Sequence, residues 1–348
     1  GGWIMAILPA LMPVIKSVDV TSTEALVIPV PSGYEILFLE WHDVYGDQTS
    51  VQNLLMTLVS GDNGYDNSLQ TMGAVSSTSN DSNSIQLGSF GDTTGQQRYD
   101  SGQVVIFNRA SQEKVVLGTE AFYRGDSEDS TANHIEGKDR DTTDPITTIT
   151  ITAQTGNMVS GRIILRGLRT DKAPRLGSPD IMQFIGSHEV SGTEASVTFP
   201  TIPTGYGMLM LFFHGLEGDT TGNENTKLTF NGDTDNNYDR ALQQYGSASS
   251  TAYGSAYAGI AIMGDSDDRE LFTSGFMTIF NRAGQEKVVI GSSNYFSQTN
   301  MAGTIHDFAA SHVLCKWRNT ATEINTLTLT PTADNWDAGK VWLIGVRI

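Results

Sequence analysis

One thirteen-residue segment of this chain occurs twice. Residues 106–118 read IFNRASQEKVVLG and residues 279–291 read IFNRAGQEKVVIG. Shorter echoes keep the same order, residues 31–34 with 203–206 and residues 65–66 with 238–239. The spacing of roughly 173 residues far exceeds the unit of a solenoid or propeller, which is about 20 to 50 residues. The sequence therefore predicts two copies of one globular domain in tandem.

The hydrophobic pattern indicates β-structure in both copies. Residues 147–152 (TTITIT) and 326–330 (TLTLT) alternate, which places apolar side chains on one face of a strand. Residues 104–107 and 276–280 are apolar runs that lead into the polar turn of the repeated segment, a pattern typical of a hairpin covered on both faces. No stretch has a sustained helical period, so we expect an all-β protein.

Short strands separated by Gly, Ser, Asn and Asp clusters predict two tandem jelly-roll-like antiparallel β-sandwich domains related by internal duplication. The expected divisions are an apolar arm over residues 1–16, domain 1 over 17–169, a linker over 170–179 and domain 2 over 180–348. Two prolines break the arm and no basic region precedes it, so we expect neither a signal peptide nor a membrane span. The arm could reach a neighbouring subunit or pack across its own domain.

Charge and cysteine content exclude some partners. The net charge of −18 argues against a phosphate-binding surface, because nucleic-acid affinity is built from clustered Lys and Arg. We expect no nucleic-acid partner, and we expect the acidic loops to keep the surface solvated. The single cysteine, Cys315, follows an apolar run, which favours a core position over a reactive thiol.

Motifs for catalysis or cofactor binding are absent from the sequence. There is no nucleophile elbow, no phosphate-cradling glycine loop and no zinc-ligand spacing, so neither enzymatic activity nor a cofactor is expected. A glycosidase would need two carboxylates about 5 to 10 Å apart, which the sequence alone does not pair. The order of residues predicts two matching histidine pairs, His42 with His214 and His134 with His306, and a structural role is favoured for them.

One loop offers oxygen ligands at alternating positions, as a Ca²⁺-binding loop does. These candidate metal ligands are Asp233, Asp235, Asn237 and Asp239. The loop departs from an EF-hand, because Tyr238 stands at the sixth position and Gln244 at the twelfth. The alternative is a turn whose Asp and Asn side chains cap their own backbone.

The repeated segment itself carries charges around its turn. Arg109 with Glu113, and Arg282 with Glu286, flank the predicted hairpin turn in the two copies. They could satisfy one another and the turn carbonyls, so we interpret the segment as a structural network.

The second copy resembles a known protein family. Residues 228–238 (LTFNGDTDNNY) are followed by 317–329 (WRNTATEINTLTL), 335–339 (NWDAG) and 343–346 (LIGV). This order is similar to that of a family of virion proteins of tailed bacteriophages, common in marine phages. The first copy is less similar, because it lacks the tryptophan segment and has residues 59–62 (VSGD) where the second has FNGD.

The resemblance implies a non-enzymatic β-sandwich on the exterior of the virion, as capsid decoration or as part of the tail or fibre apparatus. Its partners would be other virion proteins and other copies of itself, with the tandem domains at quasi-equivalent positions in a homo-oligomer. The rival class is a carbohydrate-binding or adhesive module that contacts a host-surface glycan. That class needs exposed aromatic side chains along one groove, and Trp317, Trp336, Tyr245 and Tyr253 are the candidates, the two tyrosines being the candidate surface-binding residues.

Overall fold

The computed structural model describes residues 12–48, 50–58, 64–71, 77–92, 97–124, 130–141, 143–170, 182–218, 224–244, 250–263, 272–298, 306–333 and 335–347. The chain divides into two compact units, Gly1–Lys172 and Ala173–Ile348. The division falls inside the segment predicted as a linker. Most of the predicted N-terminal arm lies outside the described residues.

The fold is all-β, as predicted, and the described residues contain no helix. The described part of the first unit forms twelve strands: β1 (Val14–Asp19), β2 (Ala25–Pro29), β3 (Tyr34–Gly46), β4 (Val51–Thr57), β5 (Tyr65–Thr71), β6 (Ser77–Ser82), β7 (Ile85–Asp92), β8 (Gln97–Phe107), β9 (Lys114–Arg124), β10 (Ser130–Asp139), β11 (Thr148–Ala153) and β12 (Met158–Arg169).

The described part of the second unit also forms twelve: β13 (Met182–Glu194), β14 (Val197–Phe199), β15 (Met208–Gly218), β16 (Glu224–Phe230), β17 (Tyr238–Gln244), β18 (Ser250–Ser255), β19 (Ala258–Met263), β20 (Phe272–Phe280), β21 (Lys287–Gln298), β22 (His306–Trp317), β23 (Leu327–Pro331) and β24 (Trp336–Val346).

The second unit is a sandwich of two antiparallel sheets. Its long sheet has the order β13-β24-β15-β20-β21-β22-β17-β18, and its short sheet has the order β14-β23-β16-β19. The chain crosses repeatedly from one sheet to the other, which is the jelly-roll-like arrangement that was predicted. This arrangement brings residues distant in sequence onto facing surfaces.

The first unit has the same order of strands, with each strand number lower by twelve. The one difference in pairing is that β7 also pairs with β8, through Gly91 with Arg98 and Asp92 with Gln97. That contact joins the two layers into a single twelve-stranded sheet. Because the registers match, a residue of one unit can be assigned its structural equivalent in the other.

Each unit has its own apolar core between its layers. In the second unit, inward side chains of β15 such as Leu211 and Phe213 pack with Leu228 and Phe230 of β16. Strands β3, β4 and β11 contribute the equivalent core residues of the first unit. Full burial of each such side chain is worth about 1.5 to 3 kcal/mol.

The glycine that ends the repeated segment has a steric cause. A Cβ atom at Gly118 would collide with the carbonyl oxygen of Gln103, and one at Gly291 would collide with that of Phe276. Both glycines lie in the second strand of the hairpin that follows the repeated turn. Close approach of the backbones therefore requires glycine at this position in both units.

Candidate functional site

The asparagine that both copies of the repeated segment share holds a distant loop in place. In the first unit, Asn108 Nδ2 donates to the carbonyl of Tyr34 at 2.9 Å, and Asn108 Oδ1 accepts the backbone N–H of Ile146 at 2.5 Å. In the second unit, Asn281 Oδ1 accepts the backbone N–H of Ile324 at 2.6 Å. The asparagine is buried in both units, so its role is structural.

The lysine of the segment is also used inside the fold. Lys114 Nζ donates to the carbonyls of Gln112 at 2.7 Å and Asp141 at 2.9 Å. Lys287 Nζ donates in the same way to the carbonyls of Gln285 at 2.8 Å and Asn319 at 3.1 Å. Burial lowers the pKa of both lysines. Lysine therefore donates to the turn carbonyls in both units.

The acidic residue of the segment pairs across the sheet. Glu113 Oε2 lies 2.8 Å from Lys138 Nζ, and Glu286 Oε2 lies 3.3 Å from Lys316 Nζ. Arg109 Nη1 donates to Gln112 Oε1 at 2.8 Å. The repeated segment is thus a structural network.

A buried tyrosine recurs at the start of β5 and β17. The hydroxyl of Tyr65 accepts the backbone N–H of Leu58, and that of Tyr238 accepts the backbone N–H of Phe230, both at 2.9 Å. Burial raises the pKa of Tyr238 well above its ordinary range. These hydroxyls bind backbone groups within the fold, and that of Tyr238 also donates to the carbonyl of Asp233 at 3.3 Å.

The candidate Ca²⁺ loop is a capped turn in this structure. Asp233 Oδ1 accepts the backbone N–H of Asp235 at 2.9 Å, while Asp233 Oδ2 accepts Trp317 Nε1 at 2.7 Å and Asn237 Nδ2 at 2.9 Å. Partial burial opposes ionisation, but the donors from Trp317 and Asn237 outweigh it and keep the pKa of Asp233 below its usual range. Its carboxylate is already occupied by protein donors.

A second carboxylate of that prediction, Asp239, has different partners. Asp239 Oδ1 accepts the backbone N–H of Gly254 at 3.1 Å, and its carboxylate lies 3.5 Å from Lys316 and 3.8 Å from Arg318. Across the described ranges, no group of three or more His, Cys, Asp or Glu side chains is arranged to hold a metal ion. The geometry favours the alternative of a turn that caps its own backbone.

The four aromatic candidates do not line one surface groove, because the two tryptophans lie in the core. Trp317 and Trp336 are fully buried, and the Trp317 ring packs against Phe230 with 5.5 Å between ring centroids. Tyr245 lies outside the described residues. Tyr253, on β18, is 85% exposed. The surface-binding prediction therefore rests on Tyr253 among the residues that can be placed.

Cys315 is a core residue, as predicted. Its side chain is buried, and burial raises the pKa of the thiol to about 12. A thiol with such a pKa is protonated at neutral pH and is a poor nucleophile.

The strand registers correct one histidine pairing. In the first unit, His134 lies opposite Thr119. The equivalent of Thr119 in the second unit is Ser292, and His312 lies opposite it. His134 is therefore equivalent to His312 rather than to His306. His42 and His214 are equivalent, but the first is exposed beside Glu40 while the second is buried. His214 Nδ1 lies 2.9 Å from Ser274 Oγ.

A buried pair of carboxyl groups in the first unit was missed from the sequence. Asp100 on β8 and Glu120 on β9 face the core side of the long sheet, near Trp41 and Asn133, and all four are at most 5% exposed. Asn133 Nδ2 donates to Glu120 Oε1. Neither oxygen of Asp100 has a hydrogen-bond partner of good geometry.

Burial makes this pair weakly acidic. Desolvation, reinforced by the neighbouring Glu120, raises the pKa of Asp100 well above its ordinary value. Desolvation also raises the pKa of Glu120 to about 7, against the opposing hydrogen bond from Asn133. The pair holds protons at mildly acidic pH, and its burial denies it the accessible geometry of a glycosidase.

Uncharged residues stand at the equivalent positions of the second unit. Thr273 replaces Asp100 and Ser293 replaces Glu120, and both hydroxyls donate to backbone carbonyls, at 2.8 Å to Asn294 and 3.0 Å to Ile260. Across the sandwich, a Cβ at Gly88 would collide with Asp100. The equivalent of Gly88 in the second unit is Ala261.

The second unit carries a cluster of two cations and a tyrosine, again missed from the sequence. Tyr257 lies between β18 and β19, with Arg240 Cζ 4.7 Å and Lys227 Nζ 5.2 Å from its ring centroid. We call Lys227, Arg240 and Tyr257 the cation–tyrosine cluster. All three side chains are half-buried.

Within the ranges that the structure describes, no helix has the length and apolar character needed to cross a membrane.

Comparisons with known proteins do not assign this chain to a family. No family model matches the chain, and no curated protein matches it. Among solved structures, it is similar to domains LG4-5 of the mouse laminin alpha1 chain, with 11% identity over 96% of this chain and 90% of that one. The TM-score is 0.16, which is too low to support an inference about fold or function.

Proposed function

We propose that this chain is a non-enzymatic structural protein of a bacteriophage virion surface. It would serve as capsid decoration or as a component associated with the tail or fibre, on the particle exterior. The sequence resemblance to tailed-phage virion proteins supports this function, and so does the net charge of −18, which suits a surface that faces solvent rather than nucleic acid.

The observation that carries the proposal is how the polar residues shared by both copies are used. The pairs Asn108 and Asn281, and Lys114 and Lys287, all bind backbone groups inside their own unit. Shared residues of a catalytic domain would be expected to converge on an accessible pocket instead. Here they stabilise turns, as a scaffold protein requires.

Immunogold electron microscopy of purified particles tests the proposal. An antibody raised against this chain is expected to label the capsid faces or the tail, and the labelled position chooses between decoration and fibre. The control is the same antibody absorbed with purified chain, which should abolish the label. Particles that contain intact heads and tails but bind no gold would contradict the virion assignment.

Self-association is the part of the proposal that can be tested without particles. The chain has a mass of 37.6 kDa, and light scattering of the purified protein should give a multiple of that mass. A homo-oligomer with closed symmetry would keep one mass over a wide concentration range. A monomer at high concentration would count against assembly through identical subunits.

Carbohydrate contact is the second candidate function, and the exposure of Tyr253 favours it. A tyrosine ring that is 85% exposed offers an apolar face for a sugar ring and a hydroxyl for hydrogen bonding. Tyr253→Ala should then weaken binding on a glycan array about tenfold relative to the unmodified chain. Identical array profiles for the two proteins would remove Tyr253 as a contact residue.

A further inference from the structure

We propose that Asp100, Glu120 and Asn133 form a binding site for Ca²⁺ between the layers of the first unit. We call these three residues the acid–amide site. The site goes beyond the virion-surface function and does not rest on it, because an ion held inside one unit changes the stability of that unit wherever the protein is located.

The three side chains project from neighbouring strands onto one face of the sheet. Glu120 on β9 lies directly opposite Gly102 of β8 and opposite Asn133 of β10. Asp100 is two residues from Gly102 on β8, so its side chain lies on the same face as that of Glu120. That face is the core side, because a Cβ at Gly88, on β7, would collide with the Asp100 carboxylate.

The three groups are also in contact. Asn133 Nδ2 donates to Glu120 Oε1. The carboxyl groups of Asp100 and Glu120 are within hydrogen-bonding reach of each other, and the indole N–H of Trp41 lies beside Asp100. An ion placed among these groups therefore meets ligand atoms from three adjacent strands, while Trp41 orients one of the carboxylates.

Four oxygen atoms of the site lack a hydrogen-bond partner of good geometry among the described residues. They are both carboxylate oxygens of Asp100, Glu120 Oε2 and Asn133 Oδ1, and all four are buried. A buried acceptor without a partner destabilises the fold. One proton shared by the two carboxyl groups would satisfy two of these oxygens and leave Asn133 Oδ1 unpaired, whereas a cation takes all four as ligands.

No positive side chain compensates the two carboxyl groups. Within the part of the chain that the structure describes, neither Asp100 nor Glu120 forms an ion pair, and no Lys or Arg is among the groups that shift the pKa of either. Asp66 of the same unit, by contrast, is paired with Arg140. Two buried carboxylates side by side repel each other, and one divalent cation cancels their charge.

The ligand atoms select a hard cation. They are carboxylate and amide oxygens, without the thiolate or imidazole ligands that zinc sites use. Ca²⁺ binds such oxygens in a flexible arrangement, whereas Mg²⁺ requires a near-ideal octahedron and retains several waters. An enclosed site built from three side chains therefore suits Ca²⁺ better than Mg²⁺, with water completing the shell.

The second unit shows that the fold does not require these ligands. Its residues at the positions of Asp100, Glu120 and Asn133 are Thr273, Ser293 and Ser311. All three replacements are neutral, and the same strands pair in the same register around them. The first unit therefore keeps two buried carboxyl groups that the architecture itself does not need, and the second unit is an internal control.

The experiment is calorimetric unfolding of the full chain after refolding from urea at about pH 8, with either Ca²⁺ or a chelator present. Refolding admits the ion before the layers close, and this pH lies above the pKa of about 7 of Glu120. At about one hundred times its dissociation constant, Ca²⁺ should raise the midpoint of the first unit by roughly 5 to 10 °C. Mg²⁺ at the same concentration should raise it no more than about half as far. The variant Asn108→Ala identifies the transition of the first unit.

Three variants separate the site from a general effect of the ion. Asp100→Asn keeps the size of the side chain but removes one carboxylate, so it should abolish most of the Ca²⁺ shift. Asn133→Ser installs the residue of the second unit and keeps both carboxyl groups. It should raise the Ca²⁺ concentration needed for the shift about tenfold or more. Asp144→Asn removes an equal charge from an exposed loop of the same unit and should leave the shift unchanged.

Each outcome decides the proposal. A first-unit midpoint that Ca²⁺ leaves unmoved in the unmodified chain would overturn the site, and so would a shift that Asp100→Asn retains in full. Equal shifts with Ca²⁺ and Mg²⁺ would overturn the choice of ion. If Asp100→Asn does not fold, the concentration dependence of Asn133→Ser decides instead. Particles that bind no antibody would remove the virion assignment and leave a Ca²⁺ shift standing.

Discussion

The two units are built on the same strand order but differ in where they place polar side chains. Between its layers, the first unit has Asp100 and Glu120 where the second has Thr273 and Ser293. Towards the edge of the sandwich, the second unit has the charged residue, because Arg240 stands where the first unit has the neutral Asn67. The clamps made by asparagine, lysine and tyrosine are common to both.

The comparison separates what the fold needs from what it tolerates. Residues that bind backbone groups of distant loops recur in both units, since their loss would leave buried donors or acceptors unpaired. The buried carboxyl pair of the first unit and the cation–tyrosine cluster of the second have diverged between the units. We therefore expect the two units to differ in how their stability depends on pH and in which ligands they contact.

The largest expected effect concerns the glycine that both units require. Gly291→Ala places a Cβ against the carbonyl of Phe276, so we expect the second unit to lose of the order of 4 kcal/mol or to fail to fold. Gly118→Ala should do the same to the first unit. Calorimetric unfolding, with one transition for each unit, gives the measurement and also assigns the transitions.

Gly186→Ala is the matched control, because its Cβ would meet only Phe199, at 3.7 Å. That change should alter stability by less than about 1 kcal/mol. A Gly291→Ala protein with an unmoved transition would mean that the two backbones do not approach as closely as described.

The next effect is a pH dependence of the first unit alone. The pKa of Glu120 is raised from 4.5 to about 7 on folding, so its protonated form favours the folded state. That contribution is complete below pH 4.5 and is lost as the pH rises through about 7. Between pH 5 and pH 8 we expect the first unit to lose about 2 to 3 kcal/mol.

The double change Asp100→Asn with Glu120→Gln removes both charges and should flatten most of this dependence, leaving a smaller slope from Asp139, whose pKa burial also raises. The second unit has Thr273 and Ser293 at these positions and serves as the internal control. Equal pH slopes of the two transitions would contradict the assignment of the buried pair.

A smaller effect is expected from the asparagine clamp. Asn281→Ala leaves the buried N–H of Ile324 without its 2.6 Å acceptor and should cost the second unit about 2 kcal/mol. Asn108→Ala should cost the first unit a similar amount. Gln285→Ala, in the exposed part of the same turn, is the control, and a cost equal to that of Asn281→Ala would refute the clamp.

The smallest effect concerns the Asp233 turn. Because its carboxylate already accepts Trp317 and Asn237, millimolar Ca²⁺ should raise the unfolding midpoint of the second unit no more than Mg²⁺ does. A rise specific to Ca²⁺, abolished by Asp233→Asn, would restore the metal-site prediction.

Much of the fold could be predicted from the sequence because its signals are local. Alternation over residues 147–152 gives a half-buried strand whatever its partner, and the repeated segment carries its own turn. The core position of Cys315 followed from the apolar run before it. The role of the segment as a network was predicted, but the part that Lys114 plays as a donor to the turn carbonyls was not.

The sites could not be predicted because they depend on strand register. Asp100 and Glu120 meet only through the pairing of β8 with β9, and Arg240 and Lys227 come from different sheets. His306 was aligned with His134 because the second copy has more residues between β21 and β22, which shifts the true equivalent to His312. The sequence does show Asp100 in one copy and Thr273 at the matching position of the other. That difference alone does not show which residue Asp100 contacts, because the contact depends on strand register.

The most direct test of the central proposal is mass spectrometry of phage particles purified by density gradient. We predict that peptides from both units of this chain are present at many copies per particle and persist through a high-salt wash. Particles that carry the other structural proteins but none of these peptides would contradict a role on the virion surface.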